Sequence, residues 1–216
     1  MPEDSLANKL GGYSSLAGFA GISLPSEPGG KSAEAMERIK SYDFFVEHFL
    51  PNILFENLVA AKDWNQISNT IDYDNKIFDK VNNKWVRDFQ YPMLAKPSNQ
   101  EAYRIYRDIV TISEDQKTYF VSINIKHVSP FIAQKWLKLI ITNINSHMRD
   151  LDKTLARNSI NFLNSSLLKT NLAEIKIVIS NLVRGQMQIL TLAESNVDYV
   201  FKPISSPIAS EQKSGP

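Results

Sequence analysis

The chain has 216 residues, 24 basic against 23 acidic, with three histidines and no cysteine. That length suits one domain of ordinary size, or one domain with an extended appendage, and it can bury a core. A formal net charge of +1 argues against a general nucleic-acid binder, which carries a clear basic excess. The missing cysteines exclude disulfide frameworks, thiolate zinc sites and cysteine nucleophiles together.

In chain order, residues 6–30 come first (LANKLGGYSSLAGFAGISLPSEPGG), holding six of the eight glycines. Glycine costs backbone entropy in a helix or strand, so the stretch reads as an extended loop punctuated by Pro25 and Pro28. Ser32 then caps a predicted helix through Leu50, with Met36, Ile39, Phe45, Val46 and Phe49 on one face. Pro51 interrupts it, and a short helix follows from Ile53 to Ala61. Residues 63–97 show no clean period and read as a long loop region.

Ser98-Asn99-Gln100-Glu101 is a capping box that starts a helix through about Arg107. A hairpin comes next: Ile109 to Ser113, a turn at 114–117, and Thr118 to Val128. In the second strand Tyr119, Val121, Ile123 and Ile125 alternate with polar or outward positions, the period of a half-buried strand. Ser129-Pro130 then places a capping serine before a first-turn proline.

From there to Ser195 no proline appears, and apolar residues from Trp136 through Leu155, Leu163, Ile179 and Met187 to Leu190 recur at helical spacing. Unbroken, about 65 residues would reach roughly 97 Å. Such a helix must fold back, pack against copies of itself, or both. Ser165-Ser166 and Lys169-Thr170-Asn171 are the two candidate tips. Asp198 to Lys202 reads as a short strand, which would return both ends of the helical region to one place if it joined the sheet of Thr118–Val128. Pro203 and Pro207 lead into a polar tail ending at Pro216.

The chemistry is sparse. Gly29-Gly30-Lys31-Ser32 matches the end of a phosphate-binding loop. Pro25 holds the position of the earlier glycine and no apolar strand precedes it, so the segment reads as a linker and helix cap. His48, His127 and His147 share no ligand spacing and read as structural. Asp43 and Glu47, beside Lys40, read as solvated helix charges rather than a hydrolase pair. Arg149, Asp150, Asp152 and Arg157 form a mixed charge run with two readings, a solvated face or intersubunit salt bridges. Trp136 falls on the apolar stripe, whereas Trp64 and Trp85 could stack sugars. No catalytic, cofactor-binding or metal site emerges, so function is expected to come from shape, assembly and partners.

The arrangement resembles the periplasmic domain of Wzz-type polysaccharide co-polymerases, the O-antigen chain length determinants of bacterial lipopolysaccharide. The likeness covers most of the chain. Its anchors are LANKLGGYSSLAGFAGISL at 6–24, PSNQEAYRIYRD at 97–108, the stretch from HVSPFIAQKWLKLIITNINSHMRDLDK at 127–153, and the run from NSINFLNSS to the end. The last is the most specific, its spaced prolines matching Pro203, Pro207 and Pro216 ahead of a second membrane helix.

The resemblance implies an α+β fold, with a small membrane-proximal α/β base and a long extended α-helical hairpin. On that plan residues 1–31 are a glycine-rich loop segment and 32–128 the base. Residues 129–195 are the hairpin, and 196–216 a final base strand and proline-containing tail. It also implies an inner-membrane anchor at each end and a closed homo-oligomeric ring. The partners would be a Wzy-type polymerase and polysaccharide, with no enzyme activity and no cofactor. Neither anchor is in the chain, which is therefore expected to be a soluble piece of a longer protein. Two other readings stay open: the ectodomain of a capsule or exopolysaccharide exporter coupled to a tyrosine kinase, and a periplasmic carbohydrate-binding module or hydrolase using the Trp64–Trp85 loop.

Overall fold

The computed structural model describes residues 30–210. The glycine-rich opening segment up to Gly29 and Pro216 lie outside the described residues, while Gly30, Lys31 and Ser32 of the phosphate-loop match are described and lie in a helix. The fold is mixed α+β. It divides into two compact units, whose described portions are 34–144 with 201–210, and 30–33 with 145–200.

The helix predicted from Ser32 to Leu50 is two helices. Helix α1 spans Gly30–Ile39, and α2 spans Tyr42–Phe44, continuing as a π-turn over Phe45–Phe49 and a 3₁₀ turn over Leu50–Asn52. Ser41 makes the break. Its hydroxyl donates to the Arg38 carbonyl at 2.7 Å and accepts from the Phe44 amide at 3.2 Å, closing one helix and capping the next. Pro51 has no amide hydrogen to give the regular helical bond, so the ladder ahead of it loosens. The next carbonyl, that of His48, is taken by the side-chain amides of Asn52, at 2.9 Å, and Asn143.

The short helix α3 is Phe55–Val59, within the predicted 53–61. Residues 63–97, read as a loop, hold two small hairpins. Strand β1 (Ala61–Asn65) pairs with β2 (Thr70–Tyr73), and β3 (Phe78–Asp79) with β4 (Lys84–Trp85). The third hairpin, β5 (Val110–Glu114) with β6 (Val121–Ile125), matches the predicted one with a shorter second strand and a later turn.

All three turns use one device. Asn65, Asp79 and Asp115 each accept, on one side-chain oxygen, the amides two and three residues on. Four residues after each stands a left-handed residue: Asn69 at φ 52°, Asn83 at φ 52° and Tyr119 at φ 57°.

Helix α4 (Asn99–Ile109) starts at the expected capping box, with Ser98 Oγ accepting the Glu101 amide at 3.2 Å and Glu101 accepting the Ser98 amide at 2.8 Å. The core of the first unit is aromatic. Phe45, Phe49, Tyr106 and Trp136 are buried; ring centroids lie 4.8 Å apart for Phe49–Tyr106 and 5.5 Å for Phe49–Trp136. The Tyr106 hydroxyl donates to the Ile39 carbonyl at 2.8 Å, so its burial leaves no lone donor.

Helix α5 (Pro130–Lys169) begins at Ser129, whose hydroxyl accepts the Ile132 amide at 3.4 Å. It ends at Lys169, and α6 (Ala173–Ser195) follows after three residues. The second predicted tip is therefore the break. No glycine marks it; Thr170 Oγ1 accepts the Leu172 amide at 3.4 Å.

Candidate functional site

The hairpin of α5 and α6 closes on Leu163 and Ile179, with Leu167, Leu182 and Val183 packed around them. Ala156, Gln186 and Ala193 are also buried. The predicted stripe included Leu155 and Met187, yet both are 48% exposed. Small alanines occupy the buried positions and let the helices approach, which turns those larger neighbours outward. Phe162, Leu168, Leu172, Ile177 and Leu192 are exposed as well. The hairpin thus carries more apolar surface than its own seam covers.

Two polar fastenings hold this unit. Lys31, Asp152 and Tyr199 form a closed triangle: Lys31 Nζ lies 2.5 Å from Asp152 Oδ2 and 2.9 Å from the Tyr199 hydroxyl, which donates to Asp152 Oδ2 at 2.6 Å. Burial pushes the Tyr199 phenol above its ordinary value, and the Asp152 carboxylate adds to the shift. For the Lys31 ammonium, burial lowers the value but is outweighed by hydrogen bonds to Asp152 and Tyr199, leaving it raised. Nearby, the buried Asn145 side chain accepts the Val200 amide at 2.8 Å.

These contacts take the place of a strand. The predicted strand Asp198–Lys202 is not formed. Tyr199 and Val200 are held by the side chains of Asp152 and Asn145 on α5, not by a strand ladder.

Of the charge run, Asp152 is engaged in the triangle, and Arg157 pairs with Glu194 at 3.0 Å across the hairpin. Arg149 reaches Ser146 Oγ at 3.3 Å and lies 3.8 Å from Asp150, itself largely exposed. Pro203 is exposed and Pro207 half-buried; the Pro207 carbonyl accepts from Gln134 Nε2 at 2.7 Å. Residue spacing could not have revealed the triangle, because Lys31 and Tyr199 lie 121 and 47 positions from Asp152.

The remaining candidates sit in structural roles. Trp136 is buried. Trp64 meets Phe131 edge-on and donates to Asn69 at 2.9 Å, while Trp85 packs on Phe55 and Phe78. Both indoles are half-buried. His127 Nε2 bonds the Asn57 carbonyl at 2.9 Å and Nδ1 accepts the Ser129 amide at 3.0 Å, a neutral tautomer. Burial holds its pKa below the ordinary value, against the raising effect of the Asn57 and Ser129 carbonyls. Lys40 pairs with Glu37 at 2.9 Å, and Glu47 stands 3.9 Å from His48, with Asp43 exposed.

Among the described residues, no group of three or more His, Asp or Glu converges as a metal site. No helix there is long and apolar enough to cross a membrane. Searched against protein-family models and curated proteins, the chain has no match to either.

Proposed function

We propose that the chain is the periplasmic part of a Wzz-type regulator of O-antigen chain length, acting as an oligomeric scaffold for a Wzy-type polymerase and its growing polysaccharide. The observation that carries this reading is the helical hairpin with its surplus apolar surface. Exposed side chains of that size on a solvated hairpin favour covering by another surface, and side-by-side copies supply one. The sequence likeness at 6–24, 97–108 and from 127 onward supports the same reading. On this proposal the work is done by geometry, with inner-membrane anchors outside the chain and a homo-oligomeric ring above them. Arg149, Asp150, Asp152 and Arg157 remain the charged candidates at subunit contacts, the last two while also serving their own protomer.

The test is genetic. A strain lacking its length regulator is complemented with the full-length gene, carrying either the native hairpin or Leu155→Ser with Phe162→Ser. The native gene restores a modal O-antigen length, and the double variant shifts the mode on a lipopolysaccharide gel. A ladder that changes in intensity but never in modal length overturns the scaffold reading.

A further inference from the structure

The hairpin β5–β6 is a sheet of two strands, so each strand has an outer edge. The register fixes which backbone groups face outward. Lys126 donates to the Ile109 carbonyl at 2.9 Å and Asp115 to the Phe120 carbonyl at 3.0 Å. Odd-numbered residues of β5 therefore bond to β6, and the even ones turn their amide and carbonyl away. The Val110 amide is used by the Tyr106 carbonyl. That leaves the Val110 carbonyl, both groups of Ile112 and the Glu114 amide with no bond among the described residues.

A groove of about 360 Å³ runs at this edge, lined by Lys40, Tyr106, Arg107, Val110, Thr111 and Ile112. Successive strand residues point to opposite faces, so three consecutive ones line a groove that follows the strand's edge. Its rim is cationic: Arg107 is exposed, and Lys40 holds only the well-exposed Glu37. Such a pair contributes little and is readily exchanged.

We infer that the β5 edge is a strand-addition site for an extended, carboxylate-bearing peptide segment of a partner protein. The backbone of the incoming segment would bond to Ile112, the Val110 carbonyl and the Glu114 amide. An acidic side chain would lie against Lys40 and Arg107. The inference is independent of the chain-length reading and survives its failure.

The probe is a fluorescein-labelled seven-residue peptide of valine and threonine with one central glutamate, added to the whole chain. Its controls carry lysine for glutamate, or methylated alternate backbone amides. Anisotropy is expected to show saturable binding of the glutamate peptide, with both controls weaker by about tenfold or more. Amide exchange, read by NMR, is expected to slow at Ile112 and Glu114 by about tenfold or more at saturation, since both gain a partner. Ile112→Pro removes the outward amide and breaks no β5–β6 ladder bond, though it also changes a side chain of the groove. It should abolish binding while Thr111 and Ser113 stay protected, and Ile112→Val, which keeps the amide, should retain binding. Equal binding of glutamate and lysine peptides, or unchanged exchange at Ile112 and Glu114, overturns the inference. Protection of those amides without peptide that rises with protein concentration also overturns it, by making a second copy the occupant.

Discussion

Glu101 serves two structures at once. Its carboxylate caps α4 by accepting the Ser98 amide, and it receives the Arg87 guanidinium through bonds of 2.6 and 3.0 Å. Arg87 also donates to the carbonyls of Leu94 and Ala95, so one side chain organises the irregular segment ahead of the helix. The Arg87 hydrogen bond, then the Ser98 amide, hold the Glu101 carboxyl down at about 2 against an ordinary 4.5. A depressed folded-state value stabilises the fold above the unfolded value and ceases to do so as pH falls through the folded one. Glu101→Gln keeps an oxygen for the cap but loses the charge. Urea unfolding near neutral pH should therefore show a loss of ~1–2 kcal/mol, as for a well-formed bidentate pair that is partly solvated. The gap between variant and native chain should narrow as pH is lowered from 4.5 towards 2. A gap that stays constant over that range would mean the charge is not what stabilises the pair. The capping box was legible in sequence because its partners are three residues apart. Arg87 was not, since its partner lies 14 positions on.

At the scale of elements, local pattern carried the long helices and the third hairpin. Alternation in 119–125 marked β6, and Ser129-Pro130 marked the start of α5. The first two hairpins escaped because β2, β3 and β4 are two to four residues long, too short for a period of two to register, and a bulge between Ala61 and Asp63 breaks the alternation of β1. Their signal was in the turns: Asn65 with Asn69 and Asp79 with Asn83 share the spacing of Asp115 with Tyr119. The strand predicted at 198–202 failed because alternation says nothing about which partner is in reach, and Asn145 and Asp152 were. Gly185 sets a separate question. It lies inside α6, and a Cβ built there meets nothing within 4 Å. Gly185→Ala should then stabilise the chain by ~0.5–1 kcal/mol, the ordinary helix-interior difference, read as a higher urea midpoint with unchanged slope. Destabilisation instead would mean that something approaches this backbone closely in solution.

At the scale of the molecule the outstanding matter is what covers the hairpin. Leu155 and Phe162 are seven residues apart and share a face of α5; Ile177 and Leu192 stand within about 60° of each other on α6. All four are exposed, and from Lys153 to Ala193 the only acidic residue is Glu174. Large apolar groups with acidic residues depleted are part of the composition of an interface centre. On the scaffold proposal, these two patches form a heterologous contact, α5 of one copy against α6 of the next, which continues until a ring closes. Sedimentation velocity should then show concentration-dependent assembly of the native chain. Leu155→Ser with Phe162→Ser, or Ile177→Ser with Leu192→Ser, should each give monomers with unchanged helical circular dichroism. Mixing the two variants is the decisive arm, because each keeps the face that the other lacks. The mixture should form dimers and stop there, every dimer ending in two disabled faces. If either variant dimerises alone, the contact is a two-fold one between like faces, and no ring can grow from it.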